Sequence, residues 1–142
     1  MIGSNEQMTE ADVYLAKLSD EFFQIQHTAD PFSATMLGVS GFDALVPDVS
    51  RAGTADTISK ISDIERRLDG INTLNLNSAD QINHAVLGRL AWGTRTDLEN
   101  ALWEASASAS GYSSPQAMMF MSVPTAPLYN SSDVDQYLER LR

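Results

Sequence analysis

The sequence contains no cysteine. Disulfides, cysteine nucleophiles and thiolate metal sites are therefore excluded. Histidine is nearly missing too, with only His27 and His84. Cations are scarce: 9 Lys and Arg stand against 19 Asp and Glu, a net charge of −10. Phosphate binding needs clustered Lys and Arg, so this balance argues against a nucleic-acid partner. No apolar run approaches the ~18–20 residues of a bilayer span, so no membrane span is expected. Met1 to Glu10 is polar, and no signal peptide is visible in it. A cytoplasmic location is the expectation that follows. Strand-like alternation of apolar and polar residues is also lacking, and there is no internal repeat.

What is present is enough apolar material for a core. Apolar residues make up 43% of the 142. That is near the globular norm and too high for intrinsic disorder. The length suits one region spanning 1–142, within the ~100–150 residues of a common domain.

The apolar residues follow helical spacing. Ala11, Leu15, Leu18, Phe22 and Ile25 recur at intervals of three and four, predicting a helix over Thr9 to His27. Tyr14 and Phe23 widen its stripe, and Thr9 and Asp12 are spaced as a capping box. Pro31 ends this helix by restricting Asp30, and the same pair can cap and start a short helix. Phe32, Met36 and Leu37 would face inward, with Gly38 as the stop. Gly41 to Val49 reads as an irregular connection, partly packed through Phe42, Leu45 and Val46.

Ile58, Ile61, Ile64, Leu68 and Ile71 mark a third helix, roughly Thr54 to Asp69, with Gly70 at its exit. Asp56/Lys60 and Asp63/Arg67 lie one turn apart on its solvated side. Ser78 and Gln81 form a further capping box. From there a helical period runs through Ile82, Val86, Leu87, Leu90, Leu98 and Leu102 to about residue 105. Trp92 and Trp103 would add buried area, and Gly88 and Gly93 would mark close helix packing. Residues 106–130 read as a long loop with a helical turn at Gln116 to Met121. A last helix carries Val134, Tyr137, Leu138 and Leu141 after a Ser132/Asp135 cap.

The expected fold is therefore all-α, with four main helices plus a short helix after Pro31. Leu15, Leu18, Phe22, Ile25, Ile61, Leu68, Val86, Leu90 and Leu98 are the expected core.

Catalytic motifs are weak. A helical zinc hydrolase needs two histidines four residues apart with a carboxylate base. His27 and His84 lie in different elements, and neither is followed by Glu. His84 sits among polar neighbours and reads as exposed. Gly88 to Gly93 copies the start of a phosphate loop, but Thr94 stands where Lys is required. No Gly-x-Ser-x-Gly elbow occurs. Asp20/Glu21 and Asp43/Asp48 are the nearest paired acids. The first pair diverges by ~100° on a helix, and Asp43 suits capping or turn duty. Met118 to Met121 suits core packing better than an adaptable contact surface. Asn130-Ser131-Ser132 is a glycosylation sequon without a secretion signal beside it. No catalytic, cofactor-binding or metal-binding residue is assigned.

The run Asp30-Pro31-Phe32-Ser33-Ala34-Thr35-Met36-Leu37-Gly38 is followed by Gly41-Phe42-Asp43 and by Leu45-Val46-Pro47-Asp48-Val49-Ser50. In this order, and with the Ile58–Leu68 helix, the long helix and the closing Arg140-Leu141-Arg142, it resembles the N-terminal region of the bacterial domain of unknown function 885 family. The resemblance covers nearly the whole chain. It implies a longer, mostly helical protein similar to zincin-type, zinc-dependent peptidases, with a His-Glu-x-x-His helix in its C-terminal part. There, two histidines and an acid hold zinc and the motif Glu activates water. None of those positions lies here, so the chain alone is expected neither to bind zinc tightly nor to cleave peptides. Zinc and a peptide substrate are implied only for the full-length family, whose members are also compatible with export.

Two functions are expected in turn. The first is a non-catalytic N-terminal scaffold that helps wall a substrate cleft, its last helix opening an apolar face just before Arg142. The alternative is a free-standing helical interaction module. Under the first, an apolar patch lined by some of Met118, Phe120, Met121, Tyr137 and Leu141 should meet a C-terminal catalytic region, or drive self-association without it.

Overall fold

Helices start in this chain where a side chain can satisfy the free N–H groups of a first turn. The computed structural model describes residues 8–101 and 114–142. Helix α1 spans Glu10–Ala29 and opens on the expected box: Asp12 N–H donates to Thr9 Oγ1 at 3.1 Å, and Thr9 N–H to Asp12 Oδ2 at 2.7 Å. Asp30 serves twice. Its N–H closes α1 on Gln26 O, and its side chain accepts from Ser33 N–H to start α2, Pro31–Met36. Gly38 and Gly41 then hold φ +74° and +95°, a left-handed backbone that glycine adopts without a Cβ penalty. Helix α3, Arg51–Asp69, begins three residues earlier than the spacing predicts, because Ser50 Oγ accepts from Gly53 N–H.

Two caps fall one or two residues before their predicted places. Helix α4, Ser78–Glu99, is capped by Asn77, whose side chain accepts from Asp80 N–H, not by the Ser78/Gln81 pair. Helix α5 spans Pro115–Ser122 and lies in the stretch read as loop, two residues longer than the predicted turn. Helix α6, Ser131–Arg140, starts on an Asn130/Asp133 box in place of Ser132/Asp135. Asn and Ser are comparable caps, and here each asparagine side chain accepts from the third N–H of its helix, Asp80 and Asp133. Short 3-10 turns cover Thr73–Asn75 and Val123–Thr125. Six α-helices and no strand are found among the described residues. Leu102, Trp103, Ala105 and the loop residues 106–113 lie outside them.

The main core joins three helices. Leu15, Leu18 and Phe22 of α1 meet Ile61, Ile64 and Leu68 of α3 and Leu87 and Ala91 of α4. Leu76, in the link after the first 3-10 turn, closes one end and was not among the expected core residues. Ile25 and Leu98 are only half-buried against this cluster. Val86 and Leu90 are each 51% exposed, so the predicted face of α4 is wrong by about one residue. The cause is size. Gly88 and Ala91 let α4 approach α3 closely; a Cβ on Gly88 would stand 3.3 Å from Leu68 Cδ2. Packing chose the side on which Gly88 and Ala91 flank Leu87, and Val86 and Leu90 turned outward. Gly93 has nothing within 4 Å and marks no such contact. Trp92 is also exposed, with the Arg89 guanidinium 4.3 Å over its ring.

A second, smaller cluster forms where α2 packs on α5. Phe32, Ala34 and Phe42 are buried there. Met36, Leu37, Leu45 and Val46 are exposed, contrary to the inward direction expected of them.

Candidate functional site

The most unusual group in the molecule is Arg140, near the end of α6. It is only 6% exposed. Its Nη2 donates to Phe42 O at 2.7 Å and to Pro31 O at 3.4 Å, and its guanidinium lies 5.4 Å from the Phe32 ring centre. Nε and Nη1 are buried without a partner. Asp43 is buried nearby and accepts from Thr35 Oγ1 at 2.8 Å. Burial pulls the Arg140 pKa down, and the Asp43 charge partly restores it. The cluster ties α6 to the α2 segment across about a hundred residues of chain.

A cleft of about 390 Å³ opens beside it, lined by Thr35, Asp43, Tyr129, Asn130, Asp133 and Gln136 among others. Asp133 is committed to capping, accepting from Tyr129 N–H at 2.9 Å and Asn130 N–H at 3.2 Å. Asn130 of the sequon is itself the cap of α6.

The remaining polar groups serve the ends and flanks of helices. Asp12 is buried; its Oδ1 accepts from Asn77 N–H at 3.1 Å while its other oxygen caps α1. These backbone donors, Thr9 first, hold its pKa down to about 2. Asp48 accepts from Ser50 N–H, and the Ser50 hydroxyl and N–H keep its pKa below the usual range. Asp43 and Asp48 thus serve separate partners. Glu21 pairs with Arg67 at 2.7 Å, whereas Asp20 lies between the two sides of α1 and borders both the α1–α4 and the α1–α3 clefts. The two predicted i,i+4 pairs form, Asp56 with Lys60 at 2.6 Å and Asp63 with Arg67 at 3.2 Å.

The histidines have structural surroundings. His27 is buried, its ring 4.3 Å from Phe23 and 5.5 Å from Phe42, centre to centre. His84 is half-buried instead of exposed. Its Nε2 lies 3.0 Å from Leu68 O, so that nitrogen carries the proton and donates. The bond pins α4 to the C-terminal end of α3. Among the described residues, no group of three His, Cys, Asp or Glu side chains could hold a metal ion. No helix among them is long and apolar enough to cross a membrane.

Outside these contacts, the C-terminal third exposes much apolar surface. Phe120 is 74% exposed and Tyr129 93%, with Met121, Leu128, Leu138 and Leu141 also open. Met118 and Tyr137 are half-buried. The predicted Met118–Met121 packing is therefore incomplete: Met119, Phe120 and Met121 point outward.

Fold and surface define an all-helical domain with buried polar ties and uncovered apolar side chains. Comparison with protein-family models, curated proteins and solved structures finds no match.

Proposed function

We propose that this chain is a non-catalytic helical scaffold, the N-terminal part of a zincin-like protein of the domain of unknown function 885 type. In this reading the zinc, the His-Glu-x-x-His helix and the peptide substrate belong to a C-terminal region, and the present helices help wall its cleft. The observation that carries the reading is the apolar surface of α5, α6 and the link between them, with Phe120 74% and Tyr129 93% exposed. Burial stabilises by ~25 cal/mol per Å², so side chains of this size favour a protein cover. Arg140 supports the same face, because its bonds to the Phe42 and Pro31 carbonyls tie α6 to the α2 segment.

The test is calorimetric titration of the chain with a separately produced C-terminal region from a family member. One-to-one binding, weakened more than tenfold by Phe120→Asp with Tyr129→Asp, is the expected result. Absence of binding overturns it. The methionines of α5 favour a second reading, a free-standing interaction module, since flexible thioether side chains adapt to varied partners. That module would bind other helical peptides through α5 while ignoring the catalytic region.

A further inference from the structure

A different face carries a second, independent surface. Helix α3 packs on both α1 and α4, and among the described residues the opposite side of the α1–α4 pair is left uncovered. There a groove of about 500 Å³ runs between the two helices. Its floor is core: Leu15, Phe22 and Leu87. Its walls are Phe23 on α1 and Val86 and Leu90 on α4, all substantially exposed. Ile82, 66% exposed, lies on the neighbouring face of α4, where it lines a separate cleft with Val86, Arg89 and Leu90. Every charged residue lining the groove is acidic, namely Asp20 and Asp80.

These features select an occupant. The α4 wall runs from Asp80 to Leu90, ~15 Å at 1.5 Å per residue, which matches about three turns of helix. A helix laid there would complete a four-helix arrangement with α1, α3 and α4, burying walls that now face water. Carboxylates on the rim, and −10 on the whole chain, attract a cationic partner and repel an anionic one. A second copy is disfavoured by the same charge. Its α6 stripe of Val134, Leu138 and Leu141 is also flanked by Asp133, Asp135 and Glu139.

We propose that the α1–α4 groove binds a basic amphipathic α-helix of another protein, its apolar stripe on Phe23, Val86 and Leu90 and its Lys or Arg side chains beside Asp20 and Asp80. This mode is helix-in-groove recognition with an electrostatic rim. It uses none of the α5–α6 surface.

The experiment is fluorescence anisotropy of the full chain with a labelled helical peptide of Leu and Lys, about 14 residues long, and its Leu and Glu counterpart. At near-physiological salt the Lys peptide should bind at least tenfold more tightly. Leu90→Asp and Val86→Asp should each weaken it more than about tenfold, since an anchor side chain of this size accounts for that factor or more. Both positions are half-exposed, and circular dichroism checks that the variants keep their helices. Asp20→Lys, a surface change, should weaken the Lys peptide about three- to tenfold and strengthen the Glu peptide. Unchanged affinity in all three variants would mean general charge attraction and overturns the proposal. Equal binding of the two peptides, or none, overturns it as well. So does self-association of the chain that Leu90→Asp abolishes, which would make the groove an interface between copies. Phe120→Asp with Tyr129→Asp should leave peptide binding intact, so the scaffold reading and this one fail separately.

Discussion

Replacing Asp43 by Asn should destabilise the protein more than replacing Arg140 by Met, and joining the two changes should recover much of the loss. The buried guanidinium of Arg140 makes two carbonyl contacts and leaves two nitrogens without partners. Its charge depends on Asp43 for compensation. At an effective dielectric constant near ~20, unit charges ~4–8 Å apart attract by ~2–4 kcal/mol. Removing one member of a buried pair leaves the other charge uncompensated, at ~3–5 kcal/mol when the two touch. Asp43 bonds to Thr35 and not directly to Arg140, so a value at or below the bottom of that range, ~2–3 kcal/mol, is the expectation for Asp43→Asn. Arg140→Met removes the buried charge itself and keeps the stem that packs on Phe32. It leaves the Phe42 and Pro31 carbonyls unpaired and the Asp43 carboxylate held by the Thr35 hydroxyl, at ~1–3 kcal/mol in all, offset by relief of the guanidinium's desolvation. A net change of ~0–1.5 kcal/mol follows. The double variant should resemble Arg140→Met alone, a coupling of at least ~1 kcal/mol. Urea unfolding followed by circular dichroism, with unchanged m-values, measures all four corners of the cycle. Additive losses would refute the reasoning, because they would mean that the two charges do not sense each other.

Acid should weaken the Asp12 tie. Its folded pKa is depressed to about 2, so its contribution is complete above the ordinary carboxylate value of ~3.9 and disappears as pH falls towards ~2. The stability gap between wild type and Asp12→Asn should close across that window, and a gap independent of pH would count against the assignment. On α4, Leu87→Ala should cost ~2–5 kcal/mol, whereas Leu90→Ala, half-exposed, should cost under ~1 kcal/mol; thermal melts distinguish the two faces. Gly53→Ala should destabilise by ~1–3 kcal/mol, since its Cβ would fall 2.8 Å from Asp48 O and against Asp48 Cγ. Gly93→Ala meets nothing within 4 Å and should stabilise α4 by up to ~1 kcal/mol, seen as a raised melting temperature.

The candidate surfaces were legible in part. Spacing at Met118–Met121 and at Val134–Leu141 marked apolar side chains in need of cover, and Phe120, Met121 and Leu141 are indeed open. Arg140 was invisible beforehand. Nothing local separates it from Arg142 or from the exposed Arg66, because its burial depends on Pro31, Phe32 and Phe42, about a hundred residues away. The α1–α4 groove was hidden for the same reason, since its walls were read as core.

Local chemistry was enough wherever interactions close within one or two turns. The Thr9–Asp12 box, the double role of Asp30 before Pro31, the left-handed stop at Gly38 and the all-helical class follow from hydrogen bonds and backbone sterics over three or four residues. Which face of a helix turns inward is settled differently. On α1 and α3 the large apolar residues form one stripe, so periodicity and packing agree on Leu15, Leu18, Ile61 and Leu68. On α4 two stripes compete, Val86 and Leu90 against Leu87 and Ala91. The close approach of α3 over Gly88 decides between them, because close-packed helices favour the side that lets their axes come together. Periodicity records which side chains are apolar; the partner helix determines which of them it can accommodate.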